Sequence, residues 1–412
     1  MNRVGIYVSK ILFFILFGSF AAFGSFINLY LEQVVGLTGS QIGFIMFIGL
    51  VTTVVMNPIW GYLADLTGRH VLFLKIGFFS SVILGGLYYS ARTFLLICLV
   101  VVALDALRAP IIGMLEFIST SYSEAANYDY GKVRVFASIG FLLTAVVTGI
   151  LVGGLDVYVG SWHVMIPGLV SLEFATFGIF IVLNALAGIV LFFLPKQRLS
   201  EPVQTVVKVE KSERQEALTL AKNRPFVFIL LLTMLGFMTV ESAFSYATMH
   251  LVGVLEAPES IVSLNAFFMV TPELILLPIG TALMMKMGFK NWYLFSILTM
   301  VLRLVIYGFA TTPFVFILGG TVHAVMIVMH ISGTMMFIRR VVPVHQLGLA
   351  FTLLASAMAL SRAVLSLLFG WLFEFVSSFA VFRVAIVFVL IAFVLALKNK
   401  DLKIVGAHLK NV

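Results

Sequence analysis

Gly61-Tyr-Leu-Ala-Asp65-Leu-Thr-Gly68-Arg69-His70 is a short polar island between two long apolar runs, residues 40–63 and 71–91. A helix needs about 20 apolar residues to cross hydrocarbon. The island therefore reads as a tight turn joining two membrane spans. Outward from it the same alternation repeats. Apolar runs at 11–34, 40–63, 71–91, 94–122, 133–154, 173–194, 226–253, 261–285, 291–310, 313–337, 347–374 and 378–397 make twelve predicted spans.

The composition points the same way. Of 412 residues, 61% are hydrophobic and 11% charged, with mean hydropathy +1.13. A soluble protein of this length carries about 25% charged residues. The expected class is an all-α polytopic membrane protein, since the residue-by-residue alternation of a transmembrane β-barrel is absent. Cys98, the single cysteine, lies in an apolar run, so no disulfide framework is expected. Arg3 and Lys10 precede the first apolar run and no small-residue cleavage site follows it, which predicts a retained first span.

The net charge of +8 implies membrane orientation rather than a nucleic-acid partner. All but five of the 26 Lys and Arg lie at the N-terminus, in or beside the even-numbered loops, or in the C-terminal tail. The exceptions are Arg92, Arg108, Arg303, Arg362 and Arg383. Positive charge collects on the cytoplasmic side, so both termini are expected there, in a multi-pass protein of the plasma (bacterial inner) membrane.

The longest polar stretch, 195–224, divides the chain into six-span halves at 1–194 and 225–412. Within it, residues 208–222 read as a surface amphipathic helix or a solvated linker. The halves share a weak repeat. Pro58-Ile-Trp-Gly-Tyr-Leu ends the second span with Gly68 ten residues on; Pro278-Ile-Gly-Thr-Ala-Leu ends the eighth with Gly288 ten on. Repeated halves suit a transporter that rocks around a central site.

Ten ionisable residues interrupt the apolar runs: Asp105, Arg108, Glu116, Arg134, Glu241, Glu273, Arg303, His323, His330 and Arg362. Such groups are costly in a bilayer and mark water-filled paths or mutual pairs.

The 61–70 island resembles the signature loop of the major facilitator superfamily. The resemblance implies a latch of Gly61, Asp65, Gly68 and Arg69, in which glycines let helix ends approach, Asp65 accepts at a helix terminus and Arg69 donates. A narrower resemblance rests on Phe23-Gly-Ser-Phe-Ile-Asn-Leu-Tyr30, Gly36-Leu-Thr-Gly-Ser-Gln41-Ile-Gly43 and Tyr130-Gly-Lys-Val-Arg134-Val-Phe-Ala-Ser-Ile-Gly140-Phe141. These look like the branch containing lactose permease, nucleoside–proton symporters and phenylpropionate permease-like proteins. That branch mostly imports small polar solutes with protons.

Several roles are implied by this resemblance. Glu116 and Arg134, eighteen residues apart, match the pair that grips sugar in lactose permease. Carboxylate and guanidinium can exchange their mutual pair for bidentate hydrogen bonds to hydroxyls. Phe141 stands where the permease has a tryptophan platform, which implies a weaker stacking surface for a sugar face without the indole donor; the alternative for this residue is a plain lipid-facing or packing role. Asn28 is the best placed polar residue of the first span. Arg303 and His323 match the family's proton machinery, and Glu273 resembles its essential glutamate to within a helical turn. A guanidinium near a carboxylate favours the ionised form, and its departure favours protonation.

The chain also departs from that pattern. Met326 replaces the permease's proton-carrying glutamate, and Ser242, Ser245, Gly320 and Met358 replace two Asp–Lys pairs. Losing four charges together leaves no orphan. Glu241 on span seven and Arg362 on span eleven are expected to pair instead, while Asp105 and Arg108 are one turn apart on span four. The proton then resides on Glu273, Glu241, Glu116 or Asp105, with Glu273 the first choice. His330, two turns after His323, shares its helical face, as a cavity-lining acceptor or a satisfied core histidine.

The expected function is proton-coupled import of a hydroxylated solute such as a sugar, oligosaccharide or nucleoside, with the proton as coupling ion and no other cofactor or metal. Proton-driven export of drugs, lipids or metabolites is the alternative, although span five lacks the proline common in exporters; import of an aromatic acid is another. An enzyme is not expected, since no nucleophile–base spacing, His-Glu-x-x-His run or phosphate loop occurs. A small solute and the lipid bilayer are the expected partners of a monomer.

Overall fold

The computed structural model describes residues 2–159, 162–195, 219–343, 346–399 and 402. Backbone amides in hydrocarbon must be satisfied within the chain, and helices do that locally. Eleven helices among the described residues are long and apolar enough to cross a membrane, and a further helix contributes a shorter apolar stretch, Ser260–Leu276. The all-α membrane class expected from the sequence is the class observed.

By its contacts the chain forms two compact units, Met1–Gln204 with Ala257–Phe267, and Thr205–Glu256 with Phe268–Val412. The first contains α1 (Asn2–Gln33), α2 (Gly39–Thr67), α3 (His70–Ser90), α4 (Phe94–Arg108), α5 (Ile111–Ala125), α6 (Gly131–Gly153), a hairpin of β1 (Leu155–Val159) and β2 (Trp162–Ile166), and α7 (Leu172–Val190). The second contains α8 (Arg224–Leu232), a π-turn (Thr233–Phe237), α9 (Met238–Phe244) and α10 (Ala247–Gly253). It continues with α12 (Phe289–Phe309), α13 (Pro313–Val341), α14 (Leu347–Phe375) and α15 (Ser378–Lys398). Helix α11, Ser260–Met287, has its first residues in one unit and the rest in the other. Most of the expected 195–224 linker, and of its 208–222 helix, lies outside the described residues.

Local chemistry sets the ends of these helices. Thr38 caps α2 in a reciprocal box: its hydroxyl accepts from Gln41 N at 3.4 Å and Gln41 Oε1 accepts from Thr38 N at 3.0 Å. Part of the Gly36–Gly43 motif is thus a helix start. Gly68 ends α2 at φ +64, a left-handed turn that favours glycine, and Gly288 stands before α12 at φ +76. The two glycines marked by the sequence repeat therefore do the same kind of job.

Span four, expected as one helix, is two. Pro110 has no amide hydrogen, so the carbonyl of Ala106 four residues back loses its helical donor. The Trp60 indole supplies one at 2.6 Å. Span seven is likewise interrupted: the π-turn leaves the Met234 carbonyl accepting from Thr239 Oγ1 and Ser361 Oγ, each at 3.3 Å. The β1–β2 hairpin, antiparallel with Leu155 opposite Ile166, was not expected from the sequence.

In the first unit α1 packs against α5, α6 and α7. The core there includes Phe13, Leu16, Phe78, Leu115, Ile118 and Tyr122. A Cβ at Gly140 would run into the Phe14 backbone, so α1 and α6 approach as only glycine permits. In the second unit α12 packs against α13 and α15. Tyr307 stacks on Phe316 with centroids 4.0 Å apart, and Phe382 meets both edge-on.

Candidate functional site

Helices α5 and α6 bring Glu116 and Arg134 together, with Arg134 Nε 3.5 Å from Glu116 Oε1. Their side chains are 43% and 36% exposed, so solvent reaches the pair. Such an exposed pair is worth about 1 kcal/mol or less, which makes it cheap to exchange for another partner. The guanidinium lies over Phe17 at 4.5 Å and Phe13 at 5.4 Å, which hold it in place. Tyr130, just before α6, meets Phe13 edge-on. Burial, and then the Glu116 charge, push its phenol up to about 12, so it stays a neutral hydroxyl at physiological pH.

Other residues of this unit fall elsewhere. Asn28 is half-buried, with Nδ2 3.6 Å from the Met46 sulfur. Phe141 packs against a small cluster of Ala21, Ala145 and Ala266. Arg108 lies over Phe20 at 4.8 Å and Phe180 at 5.5 Å. Asp105 occupies the space that the absent side chain of Gly49 leaves.

In the 61–70 turn, Gly68 makes the left-handed bend and Arg69 is exposed, without a side-chain cap to α3. Gly61 has open space where a Cβ would stand. Asp65 Oδ1 lies 3.1 Å from Nε2 of His70, a buried ring stacked on Phe117. The sequence reading quoted His70 and assigned it no role. Its place at the first turn of α3, five residues after Asp65, was the available signal.

The second unit holds a tighter cluster. Arg303 on α12 is fully buried. Its Nη1 is 2.9 Å from Nδ1 of His323 on α13 and 3.5 Å from Oε1 of Glu241 on α9. A guanidinium only donates, so His323 Nδ1 accepts and the neutral ring carries its hydrogen on Nε2. Arg303 also donates from Nε to Tyr307 at 3.4 Å, contacts the Met269 sulfur at 3.9 Å and lies over the Phe244 ring at 4.5 Å. Glu241 is 21% exposed in its side chain, so the carboxylate is the one member of the triad with some access to water. Its Oε1 accepts no hydrogen bond among the described residues.

This arrangement corrects one expectation. Glu241 does not pair with Arg362: it lies against Arg303 and His323, while Arg362 donates to Ser245 Oγ at 3.3 Å. Glu241, one of the four carboxylates considered for the proton, is in ion-pair contact with Arg303. Glu273 is half-buried on α11, one turn beyond Met269. The π-turn lies just before α9, and no periodic pattern in the sequence announces it; it alters the register in which Glu241 emerges.

His330, expected as a cavity-lining acceptor or a core histidine, is only 2% exposed. Its ring stacks on Phe237 at 4.6 Å and 9°, lies 5.5 Å from Tyr293, and its Nε2 is 3.4 Å from Thr334 Oγ1. The structure sides with the core placement. Among the described residues no group of three or more His, Cys, Asp or Glu could hold a metal ion.

Comparison with known proteins fits this architecture. A transporter of Bacillus subtilis (strain 168) described as uncharacterised, YwbF, is 25% identical over 359 residues, which cover 86% of this chain and 84% of that protein. A maltose permease of Geobacillus stearothermophilus is 26% identical over 142 residues, 34% of this chain and 36% of the permease. The crystal structure of the nucleoside transporter NupG superposes with a TM-score of 0.78 at 15% identity, covering 96% of this chain and all of that one, a likeness of fold. Residues 7–384 match the profile of the MFS_1 like family; the chain belongs to that family and is a multi-span membrane transporter of the major facilitator fold.

Proposed function

We propose that this transporter imports a small hydroxylated solute, of the sugar, oligosaccharide or nucleoside class, together with a proton. The observation that carries the reading is Arg303, a fully buried guanidinium shared between His323 and Glu241. An ion pair in so dry a place is retained at a cost that hydrophobic packing would avoid. A coupling role accounts for it. A guanidinium beside a carboxylate favours the ionised form and its withdrawal favours protonation, so any movement of α12 against α9 changes how readily Glu241 takes a proton. Substrate and proton then bias the same two-state equilibrium, which is what symport requires.

Glu116 and Arg134 serve the solute. Their exposed mutual pair opens toward hydroxyls, the fork of Arg134 donates two bonds and Glu116 accepts from the ligand. Phe13 and Phe17 keep the fork in plane, and the neutral Tyr130 hydroxyl adds a donor beside it. The names of two similar proteins, a maltose permease and a nucleoside transporter, lie within the solute class proposed. The location is the plasma membrane with both termini cytoplasmic, and the working unit a monomer.

The test is uptake of labelled maltose and uridine into liposomes holding the purified protein, with the outside acidified. Accumulation against a concentration gradient is expected for one of them. Glu241→Gln is expected to reduce that accumulation at least tenfold while leaving counterflow, which needs no net proton movement, within about threefold. Full accumulation by the variant overturns the coupling role of Glu241. Extrusion in place of uptake, or transport of acids alone, overturns the import of hydroxylated solutes.

A further inference from the structure

The mechanism above leaves a second buried polar cluster unused, in the same unit as Arg303. His330 is enclosed, and its Nδ1 has no hydrogen-bond partner among the described residues. The same is true of Tyr293 Oη on α12 and Thr233 Oγ1 at the start of the π-turn. The Tyr293 hydroxyl nevertheless lies beside the hydroxyls of Thr233 and Thr334. His330 thus meets a group of three neighbouring hydroxyls, those of Thr334, Tyr293 and Thr233, through Nε2, and keeps Nδ1 unpartnered. Each unpartnered polar atom costs free energy if left dry, and bridging water removes that cost where several polar partners converge.

The placement of the cluster is informative. His330 follows His323 by two turns on the same face of α13, about 10 Å further along at 1.5 Å per residue. Tyr293 precedes Arg303 by ten residues, about 15 Å back along α12 by the same rise. Helices α12 and α13 follow each other through a short turn, so both steps lead in one direction, toward the end of α13 that carries Arg339 and Arg340. Among the described residues the titratable side chain in contact with His330 is Tyr293; Glu241, Arg303 and His323 are the charged or titratable groups two turns away.

Resting on the proton-coupled reading, we infer that His330, with Tyr293, Thr233 and Thr334, forms a water-bridged relay that carries the proton between the Glu241–Arg303–His323 cluster and the Arg339–Arg340 end of α13. A proton leaving Glu241 passes through bridging water to Nδ1 of His330, whose Nε2 faces Thr334. Glu241 is left as a carboxylate beside Arg303, and His330 becomes an imidazolium for the time of passage. The faces of Phe237 and Tyr293 stabilise that cation. His330 then releases the proton on Nε2 to the Thr334 hydroxyl, and the hydroxyls of Thr334, Tyr293 and Thr233 pass a proton on to water on the far side; the ring is left neutral with its hydrogen on Nδ1, and exchange with bridging water at both nitrogens restores the starting tautomer before the next proton. The ring stack that holds the imidazole is part of the relay, because it keeps Nε2 against the Thr334 hydroxyl and leaves Nδ1 unpartnered to take the incoming proton.

The test compares His330→Phe and Tyr293→Phe with the unaltered protein in the liposome assay with maltose and uridine. Both variants keep the aromatic stack and remove only the proton-handling atoms. Expected is a fall of about tenfold in pH-gradient-driven uptake for His330→Phe and of at least threefold for Tyr293→Phe, with counterflow within about twofold. Gradient-driven uptake by His330→Phe within twofold of the unaltered protein overturns the relay. Should His330→Phe lose counterflow as well, through misfolding, Tyr293→Phe decides on the same terms: unaltered uptake overturns the relay, and slowed uptake with intact counterflow supports it. Coupling lost in Glu241→Gln but normal in His330→Phe overturns the relay alone. No gradient-driven uptake of either solute by the unaltered protein overturns the symport reading and the relay with it.

Discussion

Arg303 shows how much a single residue demands of its surroundings. A buried charge deprived of its partner costs about 3–5 kcal/mol, and here three elements supply partners: His323, Glu241 and the Tyr307 hydroxyl. Arg303→Ala is therefore expected to be less damaging to folding than Glu241→Ala combined with His323→Ala, which strands the guanidinium; apparent melting temperature in detergent checks the order. At the first unit, Glu116→Gln and Arg134→Ala are each expected to abolish, or weaken at least tenfold, the thermal stabilisation produced by a sugar or nucleoside. A specific ligand stabilises the state it binds, so stabilisation retained in both variants moves the solute site elsewhere. Arg303, His323, Glu116 and Arg134 could be picked out in the sequence because charges in apolar runs are conspicuous. That Glu241 meets Arg303 could not, since the sequence offers several conspicuous carboxylates and only packing brings this one to the guanidinium.

Helices and turns follow rules of shorter range. Pro110 is visible in the sequence as a helix breaker, but the Trp60 indole that repairs the break comes from fifty residues earlier. Trp60→Phe keeps the ring and leaves the Ala106 carbonyl without that donor, a loss of about 1–3 kcal/mol. A lower melting temperature with unchanged oligomeric state is the expected result. Gly140 is the corresponding case for packing. Gly140→Leu puts a branched side chain against the Phe14 backbone, where nothing can yield. It is expected to eliminate the monodisperse peak in size-exclusion chromatography, whereas Gly61→Ala, in open space, is expected to leave it unchanged.

Across the whole molecule, charge sets orientation. The bias of Lys and Arg toward alternate loops predicts both termini in the cytoplasm. Cys98 is buried and is the one cysteine in the chain. Single cysteines introduced at Asp65, in the last turn of α2, and at Arg92, after α3, in a Cys98→Ala background therefore report sidedness. An impermeant thiol reagent added to intact cells is expected to label the Arg92 position and spare the Asp65 position; the reverse pattern inverts the topology. By itself the sequence determined the membrane class, the succession of apolar helices and the glycine-marked turns, and it made the charges within apolar runs conspicuous. It did so because hydrocarbon imposes one length, one backbone solution and one penalty on charge wherever it is met. Only the tertiary structure decided that Glu241 meets Arg303 and His323 rather than Arg362, that His330 lies within a stack of rings, and that Asp65 meets His70. The first two depend on a π-turn and on the rotation of one helix against another, which side chains from distant parts of the chain settle together; the third depends on the left-handed bend at Gly68.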